Sequence, residues 1–154
     1  NISLVFGCGG ERDKTKRPIM AKIANNNCKK IYITDDNPRN EKPEKIRDEL
    51  SKNILKNKSF NIGNRTLAIK KAILNADPQE VLLIAGKGHE KKQIYKNKIL
   101  NISDKRIIKK ISRKKKLINI DKQNYLQNKY VQRVQNEHFL LLHQHPIHLS
   151  DVYL

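Results

Sequence analysis

Apolar positions along the chain fall into short runs that alternate with helically spaced stretches. Ile2-Ser3-Leu4-Val5-Phe6 has the length of a strand and stops at Gly7-Cys8-Gly9-Gly10. Pro18 follows where a first helical turn tolerates it, with Ile19, Met20, Ile23 and Ala24 at helical spacing behind it. Residues 30–34 give the next strand. Pro43 opens a second helix whose Ile46, Leu50 and Ile54 recur every four residues. Residues 59–62 read as a short edge strand, and Asn64 as the cap of a third helix carrying Leu67, Ala68, Lys71, Ala72 and Leu74. Val81-Leu82-Leu83-Ile84-Ala85 is the most apolar run and is expected to be buried on both faces. Residues 95–102 suggest a hairpin around Lys96-Asn97-Lys98, and Ser103 caps a last helix holding Ile107, Ile108 and Ile111.

This order is βαβαβ and predicts an α/β fold, a Rossmann-like, mostly parallel sheet with helices on both faces. In such sheets ligands bind beyond the carboxyl ends of the strands. Three polar segments, GCGGERDKTKRP, TDDNPRN and AGKGHE, each follow a strand and should therefore share one sheet edge. The pattern fades after residue 112. Residues 1–112 read as one domain and residues 113–154 as a basic tail rich in His, Gln and Asn, without clear period, with one helix expected near 125–139. The chain begins inside a strand and without Met, as a piece cut from something longer would.

Composition changes this picture little. The 154 residues carry a formal net charge of +18, which raises nucleic acid or an anionic surface as partner. The excess is spread along the chain as Lys interleaved with Asn and Ile, the residues that AT-rich codons supply, and only 5% of residues are aromatic. Codon drift accounts for the charge better than nucleic-acid binding does. Cys8 and Cys28 fit no metal spacing and read as reduced thiols of a cytoplasmic protein. No apolar run approaches the roughly 20 residues of a membrane helix, so no membrane partner is expected.

The three loops carry the candidate chemistry. The glycine segments have neither GxGxxG nor P-loop spacing, and each by itself reads as a tight strand-to-helix turn. TDDNPRN by itself fits a capped surface turn with an ion pair of little worth. Together the loops supply Arg12, Asp36, Asn37, Arg39 and Glu90, a set suited to an amino acid with a carboxylate at each end. Arginine forks hold carboxylates, acidic side chains hold an ammonium, Asn donates and accepts, and Pro38 stiffens its loop before a ligand arrives.

VFGCGGERDKTKRPIM, TDDNPRNEKPEKI, GNRTLAI, LLIAGKGHEKKQIY and ISDKRII, in this order and spacing, resemble the C-terminal domain of the Mur ligases of the meso-diaminopimelate-adding type, over about residues 1–112. The resemblance implies a ligase that joins an amino acid to a UDP-linked muramoyl peptide in cytoplasmic peptidoglycan synthesis. ATP would phosphorylate the UDP-MurNAc-dipeptide carboxylate and the incoming amine would attack the acyl phosphate. It implies that Asp36, Asn37, Pro38 and Arg39 match the motif recognising meso-diaminopimelate, and that Arg12, Gly86 and Glu90 match residues facing the same ligand. Lysine-adding relatives lack the arginine at position 39. ATP and magnesium would serve the complete enzyme from domains this chain lacks, as it lacks the first strand and helix of the C-terminal domain. That loss is expected to expose a strand edge. The chain alone is expected to supply no catalytic residue and no metal site.

Weaker signals remain. His138, His143, His145 and His148 cluster in the tail without Cys or scaffold, and metal binding there is not the expected reading. His89 reads as capping its turn and orienting Glu90 in preference to acid–base work. Lys87 is either near phosphate in a closed enzyme or simply solvated, and Cys8 is a turn filler. The alternative for the whole chain is a vestigial or basic nucleic-acid-binding protein.

Overall fold

The structure is a computed structural model and describes residues 1–118 and 130–132, with side chains to residue 113. The elements run β1 (Ile2–Phe6), α1 (Lys16–Asn27), β2 (Lys30–Ile33), α2 (Pro43–Ser51), β3 (Ser59–Asn61), α3 (Arg65–Asn75), β4 (Val81–Ile84), β5 (Lys92–Tyr95), β6 (Lys98–Asn101), α4 (Asp104–Ile118) and β7 (Tyr130–Gln132). Five strands form a parallel sheet in the order β3-β2-β1-β4-β7, and β5 and β6 form a separate antiparallel hairpin.

Local chemistry sets the helix starts as expected. Pro43 stands in the first turn of α2 beside Glu44. Asn64 Oδ1 accepts from the Leu67 amide at 3.0 Å, capping α3. Ser103 Oγ accepts from the Arg106 amide at 3.5 Å ahead of α4.

Alternation along the strands builds two apolar layers. Leu4, Phe6, Ile31 and Ile33 point to one face and pack on Ala21 and Ala24 of α1 and Leu50 of α2. Val5, Tyr32, Leu82 and Ile84 point to the other, against Ala68, Ile69, Ala72 and Ile73 of α3 and the half-buried Ile107, Ile108 and Ile111 of α4. Each fully buried Ile or Leu is worth roughly 1.5–3 kcal/mol, so these two layers dominate stability.

Several sequence expectations need correction. On α1 the sheet-facing residues are Arg17, Ala21 and Ala24, while Ile19 is 56% exposed and Ile23 42%. Alanines let the helix approach the sheet closely, which turns the larger side chains outward. Leu67 and Leu74 of α3 are likewise exposed, Ile69 and Ile73 taking the core positions. β4 is buried only on its α3 side: Leu82 and Ile84 are covered, and Leu83 is partly buried at the margin of the other layer. The hairpin starts at Lys92 rather than Tyr95. Arg113 to Lys116 lie within α4, so the charge block continues a helix. Within the span expected to be helical near 125–139, residues 130–132 form β7 and pair with Leu82–Ile84, covering that edge of β4. The remainder of that span and the four tail histidines lie outside the described residues.

A buried ion pair joins the α3–α4 layer to the end of β4. Arg65 Nε and Nη2 donate to the Asp104 carboxylate at 2.9 and 2.6 Å, and Nη2 also donates to the Ala85 carbonyl at 2.9 Å. Both side chains are 0% exposed; burial would lower the Arg65 guanidinium, but Asp104, with the charges of Asp36 and Glu90, raises it. Such pairs roughly break even in net stability but are costly to break. Asp104→Ala is therefore expected to destabilise the chain by about 3–5 kcal/mol in urea denaturation. A loss below about 1 kcal/mol contradicts the assignment of this pair as a structural tie.

Candidate functional site

Parallel pairing sends β1, β2 and β4 out of the same sheet edge, so the loops after them meet. The first two loops are in direct contact. The Gly10 amide donates to the Asn37 carbonyl at 2.8 Å, and a Cβ on Gly10 would overlap the Pro38 carbonyl, so no larger residue fits there. Glu41 clamps the pair from outside. It accepts from the Glu11 amide at 2.7 Å and from Arg17 Nη2 at 3.0 and 3.1 Å, while Arg17 also reaches Glu49 at 2.8 Å and the Gly9 carbonyl at 3.3 Å. The Arg17 hydrogen bonds, then the Glu11 amide, hold the Glu41 carboxyl down at about 2.

Arg39 stands between the second loop and the hairpin with a left-handed backbone, φ 53°. Its amide donates to the Ile94 carbonyl at 3.0 Å, fixing this otherwise costly conformation. Its Nη1 donates to the Gly10 carbonyl at 2.7 Å and to the Asn37 carbonyl at 3.4 Å, which leaves Nε and Nη2 without a bond among the described residues. Next to it, Asn37 Nδ2 donates to Glu90 Oε2 at 2.9 Å. Lys87 Nζ donates to Asn37 Oδ1 at 2.8 Å and to Glu90 Oε2 at 3.2 Å, and lies 3.4 Å from Asp36 Oδ1. Burial would raise the Glu90 carboxyl. The bonds from Asn37 and Lys87 and the charges of Lys87 and Arg39 outweigh it and hold the group low, hence ionised at neutral pH.

The hairpin closes the site from the side. Gln93 Nε2 donates to the Asp35 carbonyl at 2.9 Å, and the Tyr95 hydroxyl donates to Asp35 Oδ2 at 2.9 Å. Arg47 of α2 pairs with the other Asp35 oxygen. Burial raises the Asp35 carboxyl despite both partners. Gly86 has φ 112°, and a Cβ there would meet Asp36 Oδ2 at 2.9 Å. The positive φ and the close carboxylate both require glycine.

An open cleft of about 530 Å³ results, lined by Asn37, Arg39, His89, Glu90, Lys91, Lys92 and Ile94. Of the six expected site residues, Asn37, Arg39 and Glu90 line it. Asp36 and Gly86 pack together directly behind it, and Arg12 stands exposed next to Arg39 across Gly9. Asp36 and Glu90 take Lys87 rather than an arginine as their hydrogen-bonded or ion-paired cation. Lys87 is 2% exposed, which rules out the solvated reading. His89 is exposed on the cleft wall, and Asn37 and Lys87 orient Glu90 in its place. Lys87 and Gln93 are the site residues whose weight sequence reasoning missed. Gln93 carried a weak signal, an inward position in an alternating strand. Burial raises the Cys8 thiol to about 11, in keeping with an inert filler. Among the described residues no three His, Cys, Asp or Glu side chains gather as metal ligands would. The cleft thus offers guanidinium and amide donors at one end and an ionised carboxylate close by, a complement to a zwitterion.

Comparison with known proteins gives the family and agrees with the fold. The profile of the family described as Mur ligase, glutamate ligase domain, matches residues 1–88. A UDP-N-acetylmuramoyl-L-alanyl-D-glutamate--2,6-diaminopimelate ligase of Buchnera aphidicola subsp. Baizongia pistaciae is 53% identical over 115 residues, 74% of this chain and 23% of its own length. The ligase of the same name from Rickettsia felis is 48% identical over 110 residues, 71% of this chain and 21% of its own. A solved structure of a ligase of that name superposes with a TM-score of 0.67 at 33% identity, covering 74% of this chain and 24% of the other. The chain therefore spans about a quarter of the length of the curated relatives it matches.

The Glu41 clamp has a defined pH signature. Its carboxyl is lower folded than unfolded, so its contribution is complete above the ordinary value of 4.5 and is lost as pH falls towards about 2. Stability from denaturant curves is expected to fall across that window, and Glu41→Gln to flatten the fall. An unaltered pH profile in the variant would show that Glu41 does not hold the two loops together.

Proposed function

The chain belongs to the Mur ligase family through its glutamate ligase domain, and from that premise we propose that its cleft is the amino-acid site of an ATP-dependent, amide-forming ligase that adds meso-diaminopimelate to a UDP-MurNAc-dipeptide in cytoplasmic peptidoglycan synthesis. The observation that carries this reading is the convergence of Arg39, Asn37 and Glu90 on one cleft at the carboxyl edge of the sheet. Arg39, with Nε and Nη2 making no bond among the described residues, takes a carboxylate in a fork, and Arg12 across Gly9 adds a second cation to the same end. Asn37 donates to that carboxylate. Glu90, held ionised, accepts from an ammonium group. Asp36 and Gly86 support these residues from behind.

Diaminopimelate exceeds lysine by one carboxylate. A fork with no carboxylate to hold is left partly desolvated and unsatisfied, which penalises lysine. The contribution of this chain to amide formation is then to bind the amino acid and aim its free amine. ATP and magnesium do not fit the described residues. The one lysine among the glycines, Lys87, is turned inward onto carboxylates and carbonyls, so its ammonium is not presented to a phosphate. No step of nucleotide chemistry is assigned to this chain. Exposed lysines sit on all four helices, Lys22, Lys45, Lys70 and Lys109 among them, which supports drift over a nucleic-acid face.

Isothermal titration of the chain with meso-diaminopimelate and with L-lysine tests the reading. Wild type is expected to prefer diaminopimelate, and Arg39→Ala to weaken it by roughly 10- to 100-fold, the scale of a charge-assisted hydrogen bond, while leaving lysine nearly unchanged. Equal binding of diaminopimelate by wild type and variant would overturn the proposal.

A further inference from the structure

Lys87 is the least accessible cation near the cleft, with 0% of its side chain exposed. Its Nζ donates to Asn37 Oδ1 at 2.8 Å, to the Lys92 carbonyl at 2.7 Å and to Glu90 Oε2 at 3.2 Å. An ammonium has three donors, and these bonds use all three. Nothing is left for a substrate, so Lys87 is not a catalytic residue.

Its effect falls on Asn37. The Oδ1 of that amide accepts from Lys87 Nζ and also from the Ile94 amide at 3.0 Å. Turning the amide over would set its NH2 group against an ammonium and a backbone N–H, and its oxygen against Glu90 Oε2. Donors would meet donors and acceptors would meet acceptors, at a residue only 7% exposed. The amide is therefore locked with Oδ1 inward and Nδ2 towards Glu90 and the cleft. The same ammonium holds Glu90 Oε2, which leaves Oε1 as the acceptor available to a ligand.

We propose that Lys87 is a positioning residue that sets the polarity of the cleft: by fixing the Asn37 amide and the Glu90 carboxylate, it makes the Asn37–Arg39 end a donor of hydrogen bonds and Glu90 an acceptor. Selection of an amino acid bearing a second carboxylate depends on that polarity, and this part rests on the amino-acid reading above. Without Lys87, Oδ1 keeps only the Ile94 amide and Glu90 loses its cation, so the Asn37 amide is held less firmly and favours a carboxylate less.

The test is Lys87→Met, similar in length and apolar, read in two ways. In the 1H–15N spectrum of the wild-type chain, the two Asn37 side-chain protons are expected at well-separated shifts, with the one bonded to Glu90 protected from exchange. In K87M their separation and their protection are expected to decrease, since only the Ile94 and Glu90 bonds remain on the amide. By titration, the ratio of affinities for meso-diaminopimelate over L-lysine is expected to fall by roughly 10-fold or more, about the worth of one hydrogen bond to a charged group. A residue that merely supports the fold would lower the melting temperature and both affinities together. An unchanged ratio with unchanged Asn37 resonances would therefore overturn the proposal. If wild type binds neither amino acid, the amino-acid reading fails, and the Asn37 resonances alone decide the positioning role. Should K87M not fold, Lys87→Gln keeps an N–H donor without the charge. Its affinity ratio is expected to stay within about threefold of wild type, and loss of that ratio in folded K87Q would count against the proposal.

Discussion

Because β1 is hydrogen-bonded in parallel to β2 on one side and to β4 on the other, three stretches of chain must leave the sheet in the same direction, the outer two each one strand spacing from the middle one. Everything at the site follows from that crowding. The loops after β1 and β2 touch through backbone, Gly10 to Asn37. The loop after β4 reaches them through the Lys87 side chain. The two helical layers hold the strands, and the strands hold the loops. A ligand site of this kind needs no separate scaffold, since the apolar layers that stabilise the sheet also fix the spacing of its exits.

Crowding brings charge, and the structure neutralises it locally. Arg17 meets Glu41 and Glu49, Arg47 meets Asp35, Arg65 meets Asp104, and Lys87 meets Asp36 and Glu90. Each of these cations is half-buried or fully buried and would be costly without its partner. Arg39 and Arg12 differ. Neither makes an ion pair among the described residues; Arg39 lines the cleft, and the Arg12 side chain lies near Gly9 beside it. Among the described residues basic side chains are otherwise scattered over the surface, and an unpaired Arg39 beside an ionised Glu90 is the feature on which the proposed reading rests. The left-handed backbone of Arg39 fits the same account, since strain at one residue is sustained by a neighbouring strand to aim one side chain.

The strands and helix starts were legible in the sequence because they depend on neighbours a few residues apart: Asn64 with Leu67, Pro43 opening α2, and the alternation of Ile31, Tyr32 and Ile33. The shared loop edge was legible as well, since it follows from strand order alone. The sheet-facing side of α1 was not. Ile19, Met20 and Ile23 match the helical period as well as Ala21 and Ala24 do, and only the close approach of helix to sheet favours the small residues. Lys87 was misread for a related reason. Its partners Asp36 and Asn37 lie about fifty positions earlier in the chain, so nothing adjacent to it predicts burial, and a lysine between two glycines suggests solvent or phosphate. The Arg65–Asp104 tie spans 39 positions and was equally invisible. Local rules give the elements, whereas the pairing of buried charges requires the fold.

The most direct measurement of the central claim, that three strand-end loops and the hairpin form one amino-acid site, is a backbone 1H–15N titration of this chain with meso-diaminopimelate. The account predicts perturbations confined to residues near Gly9–Arg12, Asp36–Arg39 and Gly86–Ile94, saturating together with a single affinity. Perturbations scattered over the helices, or different saturation curves for the three loops, would contradict it.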